Sequence, residues 1–242
     1  MYKLTDFVSI SKKNAYRIPS SVIQLINSLC VEIKAEPTFE FTQEIRHTKQ
    51  DVIRELNKIT ETSSFEMFLS ILNEENVGEF SEDIFTILTS NSYLMKTYCK
   101  LFLELCEKYP VFLTILASRT ATYKESFSVI QFGDPSDYDL FCKINQENQS
   151  RKMYSQFISV LDHLRKTKDG EHISAFLIER IDSLLNSSSK DIVHECIEHI
   201  AILSKYKLYH REKIEAYCNL DPKTTSGIHT KFIFTCMDIL NV

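Results

Sequence analysis

Four glycines and five prolines in 242 residues are few. A sheet of many short strands needs frequent turn residues, so this scarcity argues against a sandwich or barrel and for long helices. The same shortage leaves no phosphate-binding glycine loop, no Walker pattern and no Gly-x-Ser-x-Gly elbow. The seven cysteines contain no CxxC pair and are odd in number, which points to buried thiols in a reducing compartment and not to a disulfide framework. No uninterrupted apolar run is long enough to span a membrane. Residues 1–13 lack the charged-then-apolar layout of a secretory signal, so the expected location is cytoplasmic, with no membrane partner. A net charge of −5 excludes coating nucleic acid by bulk charge but leaves room for a local basic face.

What is present is helical periodicity. Hydrophobic residues at 43% and charged residues at 25% suit a globular chain. Ile45, Val52, Leu56 and Ile59 form one stripe. Ser63 and Glu66 read as a capping box that opens a second helix carrying Phe65, Phe68, Leu69 and Leu72. Ser81 with Glu82 and Asp83 reads as the next start, ahead of Ile84, Ile87 and Leu88. Leu94, Leu101, Phe102 and Leu105 follow, and Pro110 separates them from Phe112, Ile115 and Leu116. Residues 133–148, which contain GDPSDYD, read as the main internal loop. Beyond it lie three more stripes: Met153, Phe157, Val160, Leu161 and Leu164; Ile173, Phe176, Leu177, Leu184 and Leu185; and Ile192, Val193, Cys196, Ile197 and Ile200. Asp221 and Pro222 break the pattern, the proline suiting the first turn of a helix bearing Ile228, Phe232, Cys236 and Leu240. Helical hairpins recurring at roughly 40 residues predict an all-α fold, a HEAT-like solenoid of about five antiparallel helix pairs. A helical bundle shares the same periodicity.

The sequence carries little sign of catalytic chemistry, and no cofactor is expected. His194 and His199 flank Glu195, Cys196, Ile197 and Glu198 in a way that suggests a zinc-protease helix. That motif needs histidines four apart; at five apart they lie about 140° around the axis. The favoured reading is a core thiol flanked by surface histidines, and a metal-dependent hydrolase survives only through this segment. Cys99 and Cys106 read as core thiols. His163 and His172 have no companion nucleophile. Two basic stretches stand out: Arg165, Lys166 and Lys168, and Lys205, Lys207, Arg211 and Lys213. They read either as solvated helix ends or as a phosphate-contacting, RNA-binding edge.

The run Val52 to Thr60, followed by Phe65-Glu66-Met67-Phe68, resembles the first hairpin of the middle domain of translation initiation factor 4G. Ile228 to Phe234 with Asp238 is similar to that family's closing helix. Tyr98 to Leu105 and Met153 to Leu164 sit where the family has two further helices, although Ser159 stands where its fourth-helix motif carries glycine. The resemblance covers roughly Phe41 to Val242 and implies a five-repeat HEAT solenoid that binds the DEAD-box helicase initiation factor 4A and contacts RNA. It points to Leu56, Asn57 and Lys58 at one end and Lys231, Phe232, Phe234 and Asp238 at the other; Leu56 and Phe232 also lie on apolar stripes and read as core. Tyr2, Phe7 and Val8 resemble the Tyr-x4-Leu-Φ motif by which the family binds the cap-binding initiation factor 4E, with phenylalanine in the leucine position. Such an arm folds on binding and lays Phe7 and Val8 on an apolar groove. The other reading is a helical turn packed on the domain.

The expectation is therefore a non-enzymatic cytoplasmic scaffold. It has an N-terminal arm over 1–40 and a middle domain over 41–242, joining an initiation factor 4E-like protein to an initiation factor 4A-like helicase and contacting mRNA. The alternative is a HEAT-type scaffold in nuclear cap binding or message decay. Cellular relatives are much larger, which leaves room for a reduced, virus-encoded version.

Overall fold

The structure, a computed structural model, describes residues 20–33, 47–132 and 136–241. The described residues are all-helical and contain no strand. The chain divides into two compact units, Met1–Arg46 and His47–Val242. In the first lies α1 (Ser20–Ile33), which exposes Val22, Ile23 and Leu25. Tyr2, Phe7 and Val8 lie outside the described residues.

The second unit opens with α2 (Lys49–Asn57) and the short α3 (Glu66–Ser70), followed by α4 (Glu74–Ser90), α5 (Met95–Lys108) and α6 (Val111–Ser126). It continues with α7 (Tyr138–Arg165), α8 (Asp169–Leu184), α9 (Lys190–Leu203), α10 (Arg211–Cys218) and α11 (Thr230–Leu240). Packing alternates along the chain: α5 lies on α7, α7 on α9 and α9 on α11, while α2 lies on α4 and α4 on α6. The α7–α9 pair is in parallel register. Ser155 Oγ lies 2.6 Å from His199 Nδ1, and Ser159 Oγ donates to the Leu203 carbonyl at 3.1 Å, both steps being 44 residues.

The core follows the predicted stripes. Phe85, Phe102 and Phe157 meet edge to face, with ring centres 5.3–5.7 Å apart, and join α4, α5 and α7. Each buried ring of this kind contributes about 1.5–3 kcal/mol, with a further ~0.5–1.5 kcal/mol for a well-oriented aromatic pair.

Several local expectations are corrected. Ser63 makes no cap for α3; its hydroxyl accepts from the Thr60 amide at 2.9 Å and closes a turn. Ser81 is not a helix start but a buried residue in mid-α4, donating to the Gly78 carbonyl at 3.1 Å. That helix begins seven residues earlier, where Asn73 and Asn76 cap reciprocally. The loop predicted over 133–148 gives way to α7 at Tyr138, because Asp137 accepts from the Leu140 amide at 3.1 Å and starts a helix. Pro222 sits in a turn, eight residues ahead of α11.

Candidate nucleic-acid interface

Lys166 and Lys207, one from each basic stretch, line one cavity, and a single carboxylate ties together the turns that carry them. Asp162, in the last turn of α7, is almost completely buried. Its carboxylate accepts from the Gly170 amide at 2.7 Å, from the Tyr209 hydroxyl at 3.0 Å and from the Thr167 hydroxyl. The Gly170 bond satisfies an orphan amide in the first turn of α8, whose own N-cap residue, Lys168, supplies no side-chain acceptor. Burial and the adjacent carboxylate push the Tyr209 phenol well above its usual range, so it stays protonated and donates. The α7–α8 turn and the segment entering α10 are thus pinned to the same side chain.

Both turns are held in an unusual backbone. Lys166 (φ 57°) and His210 (φ 52°) are the non-glycine residues in the left-handed region among those described. This conformation costs L-residues roughly 1–2 kcal/mol. The Lys166 amide donates to the Asp162 carbonyl at 2.7 Å, closing α7. His210 Nε2 lies 3.3 Å from the Glu171 carbonyl, tying the second turn to α8. Gly170 is required by space: a Cβ there would sit 2.8 Å from Asp162 Oδ2 and 3.2 Å from the Tyr209 hydroxyl oxygen.

Between the turns lies a cavity of about 420 Å³, lined in part by His163, Lys166, Thr167, Tyr206 and Lys207. His163 and Tyr206 stack with ring centres 4.5 Å apart and planes 22° from parallel, and Tyr206 keeps 44% of its surface exposed. Lys205 Nζ lies 5.7 Å from the Tyr206 ring centre, and Lys207 Nζ 5.2 Å from that of Tyr209. Arg211 pairs with Glu215 at 3.4 Å and Lys213 with Asp182 at 2.8 Å. No such ion pair engages Arg165, Lys166, Lys168, Lys205 or Lys207 among the described residues, and all five are exposed. This local positive charge is free for an external anion. One lysine from each stretch, Lys166 and Lys207, lines this cleft, while Arg165, Lys168, Lys205, Arg211 and Lys213 lie outside its lining. The charge runs alone do not reveal the stacked pair or the Asp162 clamp; aromatics interleaved with lysines, as in Lys205-Tyr206-Lys207 with Tyr209, are the available signal.

The other predicted positions separate by burial. Leu56 and Phe232 are fully buried, so they are core, where their stripes placed them. Asn57, Lys58, Lys231, Phe234 and Asp238 are exposed, with Lys58 paired to Glu55 at 2.6 Å and Lys231 to Glu198 at 3.2 Å. Phe234 and Met237, three apart on α11, are 59% and 43% exposed and share a face.

His199 is not a surface residue. It is fully buried, with Nδ1 2.6 Å from Ser155 Oγ and 3.1 Å from the Tyr123 hydroxyl, and Nε2 3.3 Å from Glu195. The order Ser155, His199, Glu195 is that of a hydrolase triad, but Ser155 is fully buried and offers no attacking oxygen to a substrate. Burial drives the His199 pKa down, so the ring is neutral and knits α6, α7 and α9. His194 is half-buried, 3.1 Å from Glu198. Burial raises the carboxyl pKa of Glu198, but Lys152 and Lys231 outweigh it and hold the group at about 2. Among the described residues, no three His, Cys, Asp or Glu side chains converge to hold a metal ion. The Cys106 and Cys196 thiols are pushed up by burial to about 11 and about 12 respectively, so neither is a poised nucleophile.

No known protein family, curated protein or solved structure matches this chain.

Proposed function

We propose that the chain is a non-catalytic translation-initiation scaffold of the initiation factor 4G middle-domain type. In this reading it is a HEAT-like solenoid that joins an initiation factor 4E-like cap-binding protein to an initiation factor 4A-like helicase and contacts mRNA. The observation that carries it is the alternating packing of the second unit. Among the described residues α2–α3, α4–α5, α8–α9 and α10–α11 pack as successive pairs, α6 lies on α4 and α5, and α5, α7, α9 and α11 each lie on the next. The 44-residue step between α7 and α9 falls in the range of HEAT repeats, about 40–47 residues.

Two surfaces support the partner assignments. The α11 face of Phe234 and Met237, flanked by Lys231 and Asp238, offers an exposed apolar anchor with charges beside it, the composition of a protein interface. The cleft of Lys166 and Lys207 offers unpaired cations to RNA phosphates. Tethering both proteins raises the concentration of helicase near the cap. Tighter binding to the helicase's closed form would also shift its population.

Pulldown with an initiation factor 4E-like protein and an initiation factor 4A-like helicase tests this directly. The parent chain should retain both. Tyr2→Ala and Phe7→Ala should each lose the cap-binding protein only, and Phe234→Ala should weaken the helicase only. Retention of neither partner by the parent chain removes the proposal.

A further inference from the structure

We propose that the cleft between the two basic turns takes single-stranded RNA, with one unpaired base continuing the Tyr206–His163 stack and flanking phosphates held by Lys166 and Lys207. This rests on the reading that the chain contacts RNA, and it names what the contact recognises.

The geometry restricts the ligand in three ways. First, the near-parallel rings, 4.5 Å apart, form a flat platform, and Tyr206 remains 44% exposed beside a cavity of about 420 Å³. That volume lies within the span of small-ligand sites, roughly 300–1,000 Å³. A base in a duplex is already stacked on both faces, so only an unpaired base can use the platform. Second, Lys166 and Lys207 line the same cavity as the rings and have no carboxylate partner among the described residues, so a nucleotide on Tyr206 places its phosphates among cations. Lys205, close to the Tyr206 ring, is placed to reach the next phosphate. Third, the acid in this cavity does not oppose an anion at its surface. The Asp162 carboxylate is buried and already accepts from Thr167, Gly170 and Tyr209. It fixes the two lysine-bearing turns before the ligand arrives, which lowers the ordering cost of binding.

Fluorescence anisotropy on the full chain tests this with three probes: a short labelled single-stranded RNA, the same strand annealed into a duplex, and the strand with its bases removed at consecutive positions. The single strand should bind at least tenfold more tightly than either of the others. Stacking of one base is worth a factor of about ten, so Tyr206→Ala should weaken single-strand binding about tenfold. Tyr206→Phe, which keeps the ring, should stay within about twofold of the parent. Lys166→Gln and Lys207→Gln should each flatten the dependence of log affinity on log salt by about 0.7. These exposed side chains lie outside the core, and an unchanged melting temperature checks each variant's fold. Equal binding of the duplex, equal binding of the abasic strand, or an affinity of Tyr206→Ala within twofold of the parent overturns the proposal. In those cases RNA contact of a simpler electrostatic kind still stands. A parent chain that binds none of the probes overturns the RNA contact as well, while the two-protein pulldown continues to judge the scaffold separately.

Discussion

Replacing Asp162 with alanine isolates the side chain on which the candidate interface is built. Three donors converge on its carboxylate, and two of them, the Gly170 amide and the Tyr209 hydroxyl, belong to buried residues that water cannot reach freely. Leaving a buried donor unsatisfied costs about 1–3 kcal/mol. Two such donors give a loss of about 4 kcal/mol, while the half-buried Thr167 can rehydrate. A domain's whole stability is typically about 5–15 kcal/mol, so the variant should fold but with a much reduced margin. At this size each kcal/mol moves the melting temperature by roughly 2–4 °C, which predicts a fall of about 8–16 °C. Urea unfolding followed by circular dichroism measures it, with the slope expected to stay constant and the midpoint to drop. In a double-mutant cycle Asp162→Ala and Tyr209→Phe should couple by at least ~0.5 kcal/mol, because Tyr209→Phe removes one of the stranded donors. The control Asp191→Ala, at a widely exposed carboxylate 3.3 Å from His229, should leave the midpoint unchanged. A loss below about 1 kcal/mol for Asp162→Ala, or strict additivity with Tyr209→Phe, would refute the clamp.

Adjacent phenylalanines on α11 should behave oppositely. Phe232→Ala should cost about 3–5 kcal/mol in urea unfolding, whereas Phe234→Ala should leave stability within ~0.5 kcal/mol and act only on partner binding. Gly227→Ala should be strongly destabilising by the same assay, since its Cβ would sit 2.2 Å from the Leu184 carbonyl oxygen, against backbone that cannot swing aside. The buried His199 makes stability pH-dependent. Its pKa is depressed in the folded state by burial, so the unfolded chain takes up a proton first as pH falls below about 6.5. Stability should be full above that pH and decline below it. Neighbouring groups push the same way: the His194 pKa is lowered by burial, and the Glu195 pKa, although raised by burial, is lowered on balance by His199 and Lys152. Urea midpoints at pH 7.5 and 5.5 should differ in the parent, and the difference should shrink in His199→Gln, with His194 supplying the remainder; equal midpoints in the parent contradict the neutral-histidine assignment.

Apolar periodicity carried most of the fold. The stripes of Val52 and Leu56, of Phe157 and Leu161, and of Cys196 and Ile200 are buried where the 3.6-residue period put them. Helix starts were less legible, because short polar side chains serve several roles. Ser63 and Ser81 had suitable cap partners in sequence, yet one closes a turn and the other bonds back within a helix. Asp137, within what read as a loop, starts the longest helix of those described. At the candidate interface the cations were visible as charge runs, but their meeting was not. It depends on Asp162, 47 residues before Tyr209, and no local pattern in sequence encodes such a contact. His199 was misplaced for the same reason. A histidine beside a stripe reads as surface until hydroxyls from two other helices, Tyr123 and Ser155, supply the partners that make its burial affordable.

The most direct test of the scaffold assignment is the RNA-stimulated ATPase rate of an initiation factor 4A-like helicase, measured with and without the chain at saturating ATP. The rate should rise with the parent chain, rise less with Phe234→Ala, and rise as with the parent for Tyr2→Ala, whose role lies with the cap-binding protein. A helicase whose rate does not move, and which does not co-elute with the chain, would rule out the scaffold assignment.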